Sequence, residues 1–299
     1  GGIRIVLIGD LFQLPPIVSG RERLVFNREY PEGRYFFNSH ILKHSEVQKL
    51  ELTTIFRQKD PYFIDLLNKV RIGTISQYEL DSFNKRVTTN PEIQNDKDVI
   101  ILSTTNARVD GINNRNLNQL PDEEYQYDAW INGPFYANEI PAEQHLVLKV
   151  GAKVMMLAND FAQNGLRWVN GSMGIIHDLS NNGITVNIDG EIYSVERYRW
   201  DKYAYDIVEG KVTPKVIATF TQYPFKLAWA ATIHKSQGQT FSKTLIDFDQ
   251  GTFDHGQAYV GLSRCTDLEG LFLFRPLYKS DIIFDKKIEE WWAIVGLNS

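Results

Sequence analysis

Toward both ends of the chain, short runs of consecutive apolar residues alternate with stretches whose apolar positions recur at helical spacing. Ile3 to Ile8 is the first such run. Rich in Ile and Val and closed by Gly9-Asp10, it predicts a buried parallel strand with a loop at its carboxyl end. Between Pro61 and Leu80, Phe63, Leu66, Leu67 and Val70 mark one helical face that Ile72-Gly73 would close. Val99 to Leu102 predicts a second strand running into Ser103-Thr104-Thr105-Asn106, with a helix over Ala107 to Leu120 behind it. From about residue 145 to 223 the texture changes to short alternating runs broken by Asn170-Gly171, Asn182-Gly183 and Asp189-Gly190, with Ile184, Val186 and Ile188 on one face. This predicts a small antiparallel barrel or sandwich. The α/β pattern resumes at Phe225: a helix through His234, a strand over Thr244 to Phe248, a helix near Gln257 to Ser263 and a strand over Leu271 to Phe274. The simplest organisation is an all-β insert inside an α/β domain.

Composition narrows the class. At 299 residues, 43% apolar and 23% charged, the chain has the balance of a soluble globular protein with a sizeable core. No apolar run approaches the roughly 18 residues that span a bilayer, and Gly1-Gly2-Ile3-Arg4 lacks the features of a signal peptide, so the expectation is a cytoplasmic, intracellular protein with no membrane partner. The single cysteine, Cys265, agrees with a reducing compartment. A net charge of −5 gives no global attraction to nucleic acid, and any such site must be a local groove.

Several constellations carry chemistry. Asp10 and Gln13, in Gly9-Asp10-Leu11-Phe12-Gln13-Leu14-Pro15-Pro16, follow the first predicted strand, where open α/β sheets bind ligands. A glutamine held there can hydrogen-bond a terminal phosphate or a water; the plain alternative is a proline-fixed turn. Arg57, in Leu52-Thr53-Thr54-Ile55-Phe56-Arg57-Gln58, and Arg264, in Tyr259-Val260-Gly261-Leu262-Ser263-Arg264, stand near element boundaries where guanidinium groups can meet phosphate oxygens, or form ordinary ion pairs. The run Trp229-Ala230-Ala231-Thr232-Ile233-His234-Lys235-Ser236-Gln237-Gly238-Gln239-Thr240-Phe241 is the strongest local signal, because its consecutive polar side chains are costly to bury without ligands. His234 and Lys235 suit a nucleic-acid backbone, and Gly238 and Gln239 suit a nucleotide. Thr104-Thr105-Asn106 can cap a helix, contact a phosphate, or do both. Tyr193, Tyr198, Trp200, Tyr203 and Tyr205, interleaved with Arg197, Arg199 and Lys202, read either as base-stacking groups or, more simply, as the core and rim of the small barrel.

Taken together, the stretches at 9–16, 52–58, 104–113, 151–174, 229–241 and 257–264 resemble the Pif/RecD group of superfamily-one DNA helicases in order and approximate spacing, over nearly the whole chain. The resemblance implies an α/β fold of RecA-like helicase domains, a partial first and a complete second, with an inserted small SH3-like β-barrel. Its expected boundaries are 1–72 for the remnant of the first RecA-like domain, 73–144 and 224–299 for the second, and 145–223 for the barrel. It further implies ATP and magnesium as cofactors, and single-stranded DNA or DNA junctions as partners, alongside other replication or repair proteins. The expected activity is ATP-driven translocation, generally 5′ to 3′. By motif, Gln13 would sense the γ-phosphate, Arg57 and Arg264 would contact it, Gly238 and Gln239 would meet the nucleotide, and Thr105, Asn106, His234 and Lys235 would lie on or near the DNA.

One departure matters. The family begins with a glycine-rich Lys-Thr/Ser loop and a strand ending in Asp-Glu, and neither is present here. Lys235, Lys243 and Lys279 precede Ser or Thr without the required glycines; Asp122-Glu123 lies in a polar turn; Asp247 and Asp249 lack an adjacent glutamate. The expectation is therefore the C-terminal part of a longer motor, inactive as an ATPase by itself. The rival is a non-catalytic module that grips single-stranded DNA or a protein. A metal-dependent nuclease finds no support in the spacing of the six histidines and the carboxylates.

Overall fold

A computed structural model describes residues 4–18, 20, 22–44, 48, 50–136, 139–162, 165–181, 183–208 and 211–295. The chain divides into two compact units, one formed by residues 1–106 with 232–299 and the other by residues 107–231.

The first unit is α/β. Val99–Ser103 is buried along its whole length and pairs in parallel with Lys243–Asp247, from Val99 against Lys243 to Ser103 against Asp247. Lys243–Asp247 pairs in parallel with Leu271–Leu273 on its other side. Strands covered on both faces require such continuous apolar runs. The helix Pro61–Arg71 begins where the sequence predicts: Asp60 accepts the Tyr62 N–H at 2.9 Å and Pro61 opens the first turn. Phe63, Leu66, Leu67 and Val70 are its buried face, and Gly73 takes φ +71° just past the end. A second helix, Gln77–Asn84, starts with a capping box between Ser76 and Glu79. Gln257–Leu262 and Lys286–Val295 complete the helices that bear on the site.

Two expectations fail in instructive ways. The run predicted as a strand over Ile3 to Ile8 is not one. Ile3 lies outside the described residues, while Ile5, Val6, Leu7 and Ile8 have no regular structure and are 78%, 72%, 62% and 91% exposed. A strand exists only by pairing, and no described strand lies beside this one. The helix predicted from Phe225 through His234 is replaced by two short strands, Phe225–Leu227 and Ala230–Thr232, and a series of turns. Phe225–Leu227 pairs antiparallel with Lys153–Met156, so a ladder to residues some 70 positions earlier overrides local helical spacing.

The second unit is mostly antiparallel β. Its five-stranded sheet runs in the order Glu191–Val195, Gly183–Ile188, Met173–Ser180, Lys153–Met156, Phe225–Leu227. Ile184, Val186 and Ile188 point into the core as predicted, together with Val154, Trp168 and Phe225. Gly190 takes φ +93° after Asp189 at φ +52°, in the predicted turn. Gly183 opens its strand, whereas Asn182 is outside the described residues. A long hairpin, Tyr198–Val208 with Lys211–Gln222, adds Trp130–Asn132 to form a separate three-stranded sheet. The interleaved aromatics divide here: Tyr193 packs edge-on against Trp168 and Trp200 against Phe220, while Tyr203 and Tyr205 are exposed.

Candidate nucleotide and nucleic-acid site

The loop after the first apolar run is built around one carboxylate. Asp10 Oδ1 accepts the Phe12 N–H at 3.0 Å, its backbone carbonyl accepts the Gln13 N–H at 3.2 Å, and Oδ2 accepts Gln13 Nε2 at 3.1 Å. Arg71 donates to Asp10 Oδ1 at 3.4 Å while its guanidinium lies 4.0 Å from the centre of the Phe12 ring. The other end of the Gln13 amide is also engaged, since Oε1 accepts Gln237 Nε2 at 3.1 Å. Gln13 is thereby tied both to its own loop and to the polar run 224 residues away. Gln237 was not singled out from sequence, although it stands within that run.

The two predicted arginines come together. Arg57 Nη1 donates to the Ser263 carbonyl at 3.2 Å. Arg264, only 1% exposed, donates from Nε to the Val260 carbonyl, from Nη1 to the Gln239 carbonyl and from Nη2 to Ser263 Oγ, at 2.9, 3.1 and 2.9 Å. Burial, and then the like charge of Arg57, pull its pKa down to about 10, with Tyr259 and Asp10 opposing. It remains protonated at neutral pH. Sequence reading missed Gln58, whose buried Nε2 donates to the carbonyls on either side of Arg264, Ser263 at 3.0 Å and Cys265 at 2.8 Å. The residue next to Arg57 therefore clamps the turn that carries Arg264. Two adjacent guanidinium groups, one buried and one half-buried, form a place where phosphate oxygens relieve mutual repulsion. Gly238 takes φ +86° with nothing within 4 Å of a built Cβ, so backbone conformation and not crowding requires glycine there. Gln239, the next residue, is joined to Arg264 through its carbonyl.

The predicted DNA residues gather at the carboxyl end of Val99–Ser103. Thr105 is half-buried directly after that strand, and the exposed Asn106 opens the helix Asn106–Gln119. Ile233 donates its N–H to the Ser103 carbonyl at 2.9 Å, which brings His234 and Lys235 to the same strand end. His234 is half-buried and stacks on Phe253 with 6.2 Å between ring centres. Burial lowers its pKa, Arg34 acts the same way and Asp254 opposes, so the ring is neutral at pH 7 and offers hydrogen bonds but no charge. Lys235 is exposed and supplies the cation. Ser236 serves the turn itself, donating to the Ile233 carbonyl at 2.8 Å.

Arg57, Arg264 and Gln13 are the polar groups gathered at this end of the site, each held by protein partners. They do not supply a metal site of the usual kind: among the described residues no group of three or more His, Cys, Asp or Glu side chains could hold an ion. Among the same residues no helix is long and apolar enough to cross a membrane.

Residues 137–179 match the family model described as DNA helicase Pif1, 2B domain. The chain is 34% identical over 280 residues to the ATP-dependent DNA helicase PIF1 of Danio rerio, a match covering 91% of this chain and 40% of that protein. The crystal structure of Bacteroides Pif1 bound to ssDNA superimposes with a TM-score of 0.76 at 38% identity, covering 98% of this chain and 67% of that one. A Bacteroides Pif1 helicase in complex with ADP-AlF3 and ssDNA gives a TM-score of 0.74 at 38% identity, covering 96% and 65%. The chain thus spans about two fifths of the length of the Danio rerio and Homo sapiens relatives and under two thirds of the Campylobacter jejuni one. With its parallel RecA-like sheet, its SH3-like β insert and its likeness to solved Pif1 structures over nearly its whole length, this chain belongs to the Pif1 family of DNA helicases.

Proposed function

We propose that this chain is part of an ATP-dependent DNA helicase that translocates 5′ to 3′ on single-stranded DNA and unwinds duplexes or junctions, inside the cell. Residues 1–72 would be the remnant of the first RecA-like domain, 73–144 and 224–299 the second, and 145–223 the SH3-like barrel. The observation that carries the reading is the convergence of Gln13, Arg57 and Arg264, from segments up to about 250 residues apart, next to the Gly238-Gln239 turn. Bound MgATP would supply the transferable phosphoryl group. Arg57 and Arg264 would offset charge on its oxygens, and Gln13, released from Asp10 or Gln237, would orient a water or hydrogen-bond the terminal phosphate. Thr105, Asn106, His234 and Lys235 would hold the DNA backbone at the neighbouring strand end.

These 299 residues alone would not turn over ATP, because no Lys-Ser/Thr pair has the glycines of a phosphate loop and no strand ends in Asp-Glu. The test is steady-state ATP hydrolysis with and without single-stranded DNA, beside Arg264→Ala. Turnover no higher than in that variant is expected; DNA-stimulated, Arg264-dependent turnover by this chain would refute its inactivity. One observation favours a non-catalytic binding module instead: Arg264 is buried and gives three of its five N–H groups to protein acceptors. Tight binding of single-stranded DNA that nucleotide leaves unchanged, in the longer protein as well as in this chain, is the outcome that would select it.

A further inference from the structure

His255 takes no part in the site as described so far, yet it touches the loop that carries Gln13. The ring is 3% exposed, and both nitrogens are committed. Nδ1 accepts the backbone N–H of Asp285 at 3.0 Å, because an amide N–H can only donate. That assignment leaves Nε2 as the protonated nitrogen, and Nε2 stands 3.0 Å from the Leu11 carbonyl, which can only accept. The two contacts together define one neutral tautomer and no other protonation state. The neighbouring backbone is equally close: Gly256 takes φ +70°, and a Cβ built on it would stand 2.4 Å from the Phe12 carbonyl oxygen and 2.9 Å from that of Gln13. Phe12 itself lies between Phe284 and Trp292, with ring centres 6.2 and 5.6 Å away.

We infer that His255 is a positioning residue for the Gln13 loop, a neutral double bridge that fastens the Leu11 carbonyl to the segment leading into the helix Lys286–Val295. The inference rests on the reading of Gln13 as the phosphate-facing residue, since only then does the loop's position bear on nucleotide. Gln13 reaches its place through Asp10 and Gln237, and the backbone from which it reaches is set at Leu11 by the imidazole and at Phe12 by the close approach of Gly256.

A second proton removes the acceptor at Nδ1 and opposes the Asp285 N–H. Burial holds the ring's pKa below the ordinary 6.5; the Leu11 carbonyl, Asp285 and Asp254 pull it up, and Arg34 pulls it down. Asp285 also accepts from the Tyr35 hydroxyl at 2.8 Å and Asp254 pairs with Arg34, so both carboxylates facing the ring are already engaged. Because the native state resists the proton more than the unfolded chain does, the bridge contributes fully above about pH 6.5 and weakens as pH falls below it.

The experiment is nuclear magnetic resonance on the 299-residue chain, following the His255 ring nitrogens and the backbone amides of Phe12, Gln13 and Asp285 from pH 8 to pH 5. The expected result is a proton on Nε2 alone at pH 8, and one shared titration of ring and amides with a midpoint below 6.5. Two variants divide the bridge. His255→Asn keeps an acceptor near the Nδ1 position and is expected to free the 11–13 amides to exchange at least tenfold faster while Asp285 stays protected. His255→Gln keeps a donor near the Nε2 position and reverses the pattern. A proton on Nδ1, or loop amides that ignore the His255 titration, would overturn the inference, and the wild-type titration decides even where a variant fails to fold. No nucleotide enters this measurement, so failure of the helicase reading leaves its outcome intact and separately legible.

Discussion

The stretch from residue 4 to 60 and the β unit of residues 107–231 solve the same problem in opposite ways. In the β unit a five-stranded sheet pairs strand to strand over a core that includes Leu146, Val154, Trp168, Val186 and Phe225, all 3% exposed or less. The earlier stretch has apolar side chains in plenty but no strand among its described residues, and Ile5 to Ile8 stay exposed. Beyond short helices such as Arg23–Glu29, it is held by ties to residues more than 200 positions later, among them Gln58 to Ser263, Gln13 to Gln237 and Leu11 to His255. Apolar content does not by itself make structure. Pairing partners do, and in this stretch the residues that find distant ones include those of the candidate site as well as Arg34 with Asp254 and Tyr35 with Asp285.

The comparison breaks first at Phe225. Replacing this fully buried ring with alanine removes a member of the β core and should destabilise the unit by about 3–5 kcal/mol in chemical denaturation. A loss below about 1 kcal/mol would mean the core is far looser than its burial implies. Next in size is Gly256→Ala, which combines a left-handed backbone with a clash against Phe12 and Gln13 and should lose about 2–5 kcal/mol. Gly238→Ala has the same backbone demand without the clash and should lose only about 1–2 kcal/mol. Equal losses at the two glycines, read from denaturation midpoints, would remove the argument that the 255–256 backbone braces the Gln13 loop.

The elements legible in the sequence are those whose signals are local. Asp60, Pro61 and Gly73 delimit one helix within 14 residues, and the unbroken apolar run at Val99 to Leu102 can only be a covered strand. The small-residue stretch from Phe225 to His234 misleads because its fate is set by the distant strand Lys153–Met156. The same division runs through the site. Gln13, Arg57 and Arg264 stand out by motif, whereas Gln58 and His255 act on backbone carbonyls across 205 and 244 residues and Gln237 on the Gln13 side chain across 224, and nothing in residue type marks which acceptor will be near.

A smaller effect tests the first unit's local electrostatics. Hydrogen bonding to Lys69, then to the Ser76 N–H and hydroxyl, draws the Glu79 pKa from 4.5 to about 2. A depressed native pKa means a contribution present above about pH 4.5 and lost as pH falls toward 2. Glu79→Gln should therefore flatten the acid limb of the stability curve in that window and lose its effect at the bottom of it. A variant curve parallel to wild type from pH 6 to 2 would show that the carboxylate titrates normally. The pair is exposed enough that added salt should shrink the difference.

The smallest expected change is at Ile8, and it carries the comparison furthest. A side chain that is 91% exposed has almost no burial to lose, so Ile8→Ser should shift the stability of the monomer by no more than about 0.5 kcal/mol. Its effect should fall instead on association. Unpaired backbone beside four exposed apolar residues is a template for another chain's strand, and a polar residue there weakens the template. Sedimentation across a range of concentrations should find the variant less self-associated than wild type, with denaturation midpoints matched. A loss of several kcal/mol would place Ile8 in a core, and the contrast between a self-sufficient β unit and a partner-dependent amino-terminal stretch would have to be abandoned.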